Sequence, residues 1–186
     1  MTANKRIEIP LSKAKLAKLL IFSVLFLVAG GWMIIADPQS GNPFFNNPVV
    51  KGVAGFGGVI MGVLGIYFTV KKMFDSKPGL VLSEEGVYDN TSAFQFGLIP
   101  WSDISGVYER TIQASIASKQ RFVTIGLVSP EKYISKETNV LKRKLLEVNA
   151  KNYGSPIHIS TNGLKIKHDE LLKLVKEYFE RYKRSV

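Results

Sequence analysis

Over the first seventy residues the apolar positions fall in two unbroken runs, and over the rest they alternate or recur at three and four. Residues 19–36 and 52–70 hold no charged side chain over 18 and 19 positions respectively, close to the roughly 20 that a helix needs to cross about 30 Å of hydrocarbon. Both runs are apolar on every face, whereas a helical hairpin in a soluble core, the alternative, usually keeps one polar stripe. The pattern therefore predicts two transmembrane helices. With their charged turns these span 13–36 and 52–72, leaving a tail at 1–12, a connector at 37–51 and a domain at 73–186. A cleaved signal peptide also begins with basic residues, but its apolar core is usually only about 7–15 residues long and ends in an A-x-A-like site. No clear site of that kind precedes Asp37.

Lys5, Arg6, Lys13, Lys15 and Lys18 precede the first run and Lys71, Lys72 and Lys77 follow the second, while the connector offers only Asp37 and Lys51. By the positive-inside bias both termini are cytoplasmic and the connector faces outward. Trp32 and Tyr67 stand where interfacial aromatics are expected, as does the Phe44-Phe45 pair. Pro38, Pro43 and Pro48, set among Asn42, Asn46 and Asn47, end the first helix. In the second run Gly58 and Gly62, with Ala54 one turn earlier, give a small-residue face that lets another backbone approach. Its partner is either Ala29-Gly30-Gly31 of the first helix or, in a homodimer, a second copy of the chain. Gly55-Phe56-Gly57-Gly58 lacks the third glycine of a dinucleotide loop and follows no strand, which excludes that use.

After Lys77-Pro78 the periodicity becomes strand-like. Residues 80–83 and 87–90 read as a hairpin about Glu84-Glu85-Gly86, Ile99-Pro100-Trp101-Ser102-Asp103-Ile104 leads into a strand at 107–111, and 122–128 is a strand with Val123, Ile125 and Leu127 on one face. Between these last two the polar stretch 113–120 reads as a loop, with Lys119 and Arg121 at its end. Residues 135–151 form a basic amphipathic helix, with Leu141, Leu145 and Val148 as its apolar face and Lys142, Arg143 and Lys144 beside them. It packs on the sheet with a solvated basic back, or lies on an anionic membrane surface. A short strand follows at 156–160, then a turn at Asn162-Gly163. The last helix, 169–183, carries Leu171, Leu174, Val175, Tyr178, Phe179 and Tyr182 on one face, with Asp169 and Glu170 in its first turn and Lys183 and Arg184 at its end, as the helix dipole favours. Ile7-Glu8-Ile9 alternates too, as a short strand or a tail on the membrane surface.

Charge sharpens the picture. The formal net charge is +10, and up to Lys77 there are nine basic residues against three acidic ones, against 16 and 12 afterwards. The excess lies at the flanks of the apolar runs, which points to anionic lipid headgroups before nucleic acid, and no nucleic-acid-binding signature is present. The absence of cysteine rules out disulfides, thiolate metal sites and a thiol nucleophile. His158 and His168 match no H-E-x-x-H pattern, and no carboxylate pair brackets them at ligand spacing. Ser115-Ile116-Ala117-Ser118-Lys119 lacks the spacing of a serine–lysine nucleophile. No catalytic residue, cofactor or metal site is expected.

Gly79-Leu80-Val81-Leu82, Gly86-Val87-Tyr88 and above all Trp101-Ser102-Asp103-Ile104, with several antiparallel strands closed by an amphipathic helix, resemble the bacterial PH-like domains. Many members of that group carry a transmembrane hairpin ahead of the domain. The resemblance covers roughly residues 77–183. It implies an α+β fold, an antiparallel β-sandwich or partly open barrel with a C-terminal capping helix, in which Trp101 and Ile104 pack inward, and the 135–151 helix is an insertion. It also implies a bacterial plasma-membrane protein. The basic first loop by which eukaryotic PH domains hold phosphoinositides is here Glu84-Glu85-Gly86, so that activity is not implied. Two functions are expected: a membrane-anchored module that binds the bilayer surface or a protein partner through Lys142, Arg143, Lys144, Lys119 and Arg121, or an accessory subunit of a larger membrane complex that makes contact through the glycine face.

Overall fold

The computed structural model describes residues 6–92, 94, 96–115 and 118–183. Lys5 and Arg184 of the expected flanks, and Ile116 and Ala117 of the expected loop, lie outside the described residues. The chain divides into two units, Ser12–Ser76 on one hand and Met1–Leu11 together with Lys77–Val186 on the other.

The first unit is a helical hairpin. Helix α1 (Lys13–Ala36) has 24 residues and starts at Ser12, whose side chain accepts from the Lys15 amide, closing an orphan donor of the first turn. A single turn, α2 (Pro43–Asn46), sits in the connector, and α3 (Pro48–Met73) follows with 26 residues. At about 1.5 Å per residue the two long helices measure about 36 and 39 Å. Helix α3 begins four residues before the expected 52, because Asn47 caps the Val49 and Val50 amides and Pro48 supplies the fixed φ favoured at the first helical position. Lys51 Nζ pairs with Asp37 Oδ1 at 2.6 Å, tying the two connector ends together.

The glycine face of α3 is spent within the chain. A Cβ at Gly30 would lie 2.6 Å from the Gly55 carbonyl oxygen, one at Gly58 would lie 3.2 Å from Gly30 Cα, and one at Gly62 would lie 2.6 Å from the Leu27 amide. Gly30 is thus the residue of the first helix that receives α3, while Gly31 has open space beside it. Ala54 is exposed, and Gly55, one position on, makes the close approach, since a Cβ there would lie 3.3 Å from the Gly30 carbonyl oxygen. Elsewhere the hairpin presents apolar side chains outward, among them Phe22, Phe26, Ile35, Phe56, Met61 and Leu64.

The second unit holds two antiparallel sheets and a C-terminal helix. Four strands, β1 (Ile7–Ile9), β2 (Leu80–Leu82), β3 (Gly86–Asp89) and β4 (Leu98–Pro100), pair in that order, with Ile7 opposite Leu82 and Ile9 opposite Leu80. Of the two readings of Ile7-Glu8-Ile9 within the expected tail, a short strand or a surface tail, the structure has the strand, at the edge of this sheet. It is held further by Leu11, which bridges to Leu164, and by the Pro10 carbonyl, which accepts from the Lys165 amide at 3.0 Å. Gly86 is required by close approach, since a Cβ there would collide with the Ile99 carbonyl of β4.

Strands β5 (Ile104–Ser115), β6 (Ser118–Leu127) and β7 (Ile157–Ile159) make the second sheet. The loop expected at 113–120 is mostly strand: Thr111, Ile112 and Gln113 pair with Arg121, Gln120 and Lys119 as a ribbon running past the short β7, which pairs only with Val123–Ile125. Its polar side chains mark a ribbon with little sheet beside it. The helix expected at 135–151 starts only at 140, as α5 (Val140–Tyr153), where Asn139 caps the Lys142 amide, and a short helix that was not expected, α4 (Pro130–Ile134), precedes it. Helix α6 (His168–Lys183) lays Leu171, Val175, Tyr178 and Phe179 on a core shared with Leu80, Leu82, Val87, Ile99, Val123, Ile125, Ile157 and Ile159.

Because the first added carbon at Gly30 or Gly62 meets backbone, Gly30→Ala and Gly62→Ala are each expected to cost the hairpin about 1–3 kcal/mol. Gly57→Ala, with nothing within 4 Å of its Cβ position, is expected to be neutral or slightly stabilising. Denaturant titration of the full chain in detergent micelles measures the difference.

Candidate functional site

The Trp101–Ile104 step turns the chain from the first sheet into the second. Trp101, Ser102 and Asp103 form a 3₁₀ turn and Ile104 opens β5. Trp101 is 2% exposed; its Nε1 donates to the Ser83 carbonyl at 2.9 Å, and its ring lies 6.3 Å from Tyr182 in a stacked arrangement, with Tyr178 and Phe179 also against it. Ile104 is buried, so both residues point inward as expected. Asp103 does more than enter a strand. Its Oδ2 accepts from Lys132 Nζ and Tyr133 Oη, each at 2.6 Å, and its carbonyl accepts from the Val128 amide. The corner is thereby stapled to α4. The hydrogen bond from Lys132, with that from Tyr133, holds the Asp103 carboxyl below its usual range, and burial with the same contact pushes the Tyr133 phenol up.

The basic residues expected to act together lie on two elements, Lys119 and Arg121 on β6 and Lys142, Arg143 and Lys144 on α5. Arg121 lies in an ion-pair network: it grips Glu109 through Nε and Nη2 at 3.0 and 2.7 Å and reaches Asp169 at 2.5 Å, and His168 Nε2 stands 3.1 Å from Glu109 Oε2. The Arg121 hydrogen bonds hold the Glu109 carboxyl down at about 2. His168 thus does have carboxylates around it, brought from 59 positions away in the case of Glu109; linear spacing carries no trace of that. Glu109, His168 and Asp169 offer ligand atoms within 4.8 Å of one another. The guanidinium that bonds both carboxylates already supplies the positive charge a metal ion would bring, and the group reads as a clasp joining β5, β6 and α6. Lys119 is exposed on the ribbon. His158 packs between Phe122 and Tyr153 with Nδ1 2.9 Å from Thr124 Oγ1, and burial lowers its pKa, keeping it neutral at physiological pH.

Comparison with protein-family models, curated proteins and solved structures finds no match to this chain.

Helix α5 reverses the expected face. Leu141, Leu145 and Val148, the face that meets the sheet in one of the two expected readings, are 70%, 49% and 44% exposed, while Leu146 is 1% exposed and lines a small cavity with Phe94, Phe96 and Tyr133. The recurrence at three and four was real, yet it marked the outward arc. Leu146 and Ala150, with the half-buried Lys142, Asn149 and Tyr153, make the inward one. Lys144 falls between Leu141 and Val148 on the exposed arc, and Lys151 lies one turn beyond Val148. Lys142 and Arg143 therefore stand apart from the arc that carries Lys144.

Two outcomes follow. Leu146→Ala is expected to cost about 2–4 kcal/mol and Leu145→Ser less than about 0.5 kcal/mol in chemical denaturation of the full chain. The ordinary Asp pKa is about 3.9, and Asp103 sits below it when folded, so its contribution is fully present above the unfolded value and is lost as pH falls through the lowered one. Asp103→Asn is expected to remove about 1 kcal/mol at neutral pH, after allowance for solvent screening, and to flatten the decline of stability below about pH 4.

Proposed function

We propose that this chain is a non-catalytic, membrane-anchored module. The α1–α3 hairpin crosses a bacterial plasma membrane twice, both termini are cytoplasmic, and residues 6–11 with 77–183 form a PH-like domain that meets the membrane surface. One observation carries the anchoring: β1 precedes the hairpin and β2 follows it, and the two are paired. A segment that leaves one strand and returns to its neighbour has to end on the side where it started, which for two apolar helices of membrane-crossing length means out and back. The outward-facing apolar side chains of the hairpin support it, since lipid would cover what the protein does not. The lysines at both cytoplasmic ends set the orientation.

The PH-like assignment is supported by the seven strands of the described residues, divided four and three, a closing C-terminal helix and the inward Trp101 and Ile104. In this arrangement the hairpin is an insertion between the first and second strands, and α4–α5 another between the sixth and seventh. The accessory-subunit alternative relied on a glycine face open to another protein; Gly58 and Gly62 instead meet α1.

Single cysteines introduced into the cysteine-free chain test the topology. In sealed vesicles a membrane-impermeant maleimide is expected to label Asn42→Cys from the outer face only and Lys173→Cys from the cytoplasmic face only, with the chain resisting carbonate extraction. Labelling of both from one face, or release by carbonate, would sink the proposal.

A further inference from the structure

We propose that α5 is a second membrane contact, an interfacial helix that sets Leu141, Leu145 and Val148 among the headgroups of an anionic leaflet with Lys144 and Lys151 against lipid phosphates, which rests on the hairpin being the bilayer anchor proposed above. The observation behind it is the outward arc of α5, where three large aliphatic side chains are between 44% and 70% exposed. Val140, at 68%, continues the patch to the helix start. A helix presenting aliphatic residues to solvent between lysines has the pattern of one that lies in the plane of a membrane interface, its apolar side chains sunk to the acyl boundary and its lysine stems reaching up to phosphate. Helix α5 is built to keep that shape. Asn139 caps its start, Gly154 ends it in the left-handed conformation at φ 78°, and Arg110 Nη2 donates to the Tyr153 carbonyl of its last turn at 3.2 Å.

Charge and composition select the occupant. On its outward side the helix carries Lys144 and Lys151, and the single acid of α5, Glu147, stands four residues from both Arg143 and Lys151. The patch is aliphatic, without the tryptophan, tyrosine or central arginine that dominate protein–protein contacts. One face of a 14-residue helix also falls short of the roughly 800 Å² per partner of a standard protein interface. A lipid leaflet requires neither feature. Because only Ser12 and residues 74–76 separate the domain from the hairpin, the encounter with that leaflet is intramolecular, and weak contacts suffice.

The full chain is reconstituted in nanodiscs of phosphatidylcholine alone or of equal parts phosphatidylcholine and phosphatidylglycerol, each with nitroxide-labelled lipid. An environment-sensitive fluorophore is placed on Leu145→Cys, on Val148→Cys, or on the α6 control Glu180→Cys. The expected result is blue-shifted, nitroxide-quenched emission from the two α5 labels in the anionic discs only, with the Glu180→Cys label unchanged. Lys144→Gln and Lys151→Gln are each expected to weaken docking about fivefold, and rising salt to weaken it further. Water-exposed emission from both α5 labels in both lipids would overturn the proposal. So would equal quenching in the zwitterionic discs, or a shift that follows the number of chains per disc, which would make a second copy the occupant. Co-elution of the chain with the discs is scored separately: its loss would fail the anchor, whereas retention with water-exposed labels would fail α5 docking alone.

Discussion

The pairing of β1 with β2 is the constraint from which the rest of this structure follows. Three residues on each side form the ladder, and Ile9, Leu80 and Leu82 from it are buried. The Ile9 carbonyl then accepts from the Gly79 amide at 2.9 Å, in a space so tight that a Cβ at Gly79 would meet Leu11 and Leu164 side chains. The sequence separation is large, but loop-closure cost grows only as the logarithm of length. It shrinks further when the intervening chain forms a hairpin of its own. Helix α1 supplies that by admitting α3 at Gly30, Gly55, Gly58 and Gly62, and the close packing of backbones stands in for the hydrophobic drive that apolar helices lack among apolar surroundings.

The second sheet depends on the corner that Trp101 fills. Its indole N–H is satisfied by Ser83 on the β2–β3 hairpin, and its ring is enclosed by three aromatic rings of α6. A large aromatic with a partnered N–H is costly to place wrongly and stabilising when placed well. The corner therefore joins the first sheet, the second sheet and the last helix at one point. Asp103 extends the connection to α4, and Arg121 with Glu109, Asp169 and His168 closes the far end of α6 onto the ribbon. Such a surface network contributes little as isolated pairs, but it fixes where the first turn of α6 stands.

What the sequence reveals follows the range of the physics involved. The two long helices are legible because absence of charge over eighteen residues is a local and extreme signal. The α6 face is legible because Leu171, Val175, Tyr178 and Phe179 repeat the helical period beside capping charges. Strand β1 shows only as three alternating residues, since its reason for being a strand, Leu80–Leu82, lies beyond the hairpin. The start of α3 was readable in Asn47-Pro48 as a cap followed by a first-position proline, but three prolines close together masked it as loop. The Arg121 network joins residues that no spacing rule connects. For α5 the period was legible and the side was not. Periodicity says which residues share a face; only the neighbouring elements decide whether that face is the covered one.

That distinction bears on why α5 exists in its present form. The fold covers Phe94, Phe96 and Tyr133 with Leu146, and the inward arc of α5 adds Ala150, Asn149, Lys142 and Tyr153, whose ring packs on His158. Nothing in the packing of the domain calls for leucine at 141 and 145 or valine at 148, and polar residues there would be favoured for solubility and equal in helix propensity. Helical caps at both ends hold these side chains on one arc, alternating with lysine, on a segment inserted between two core strands that makes few other contributions to the core. The proposed docking of α5 on lipid accounts for an arrangement that the folded domain does not need, yet orders at both ends. On that reading, a chain whose hairpin turns an apolar surface outward presents the same chemistry twice, once for the interior of a bilayer and once, edged with positive charge, for its anionic face.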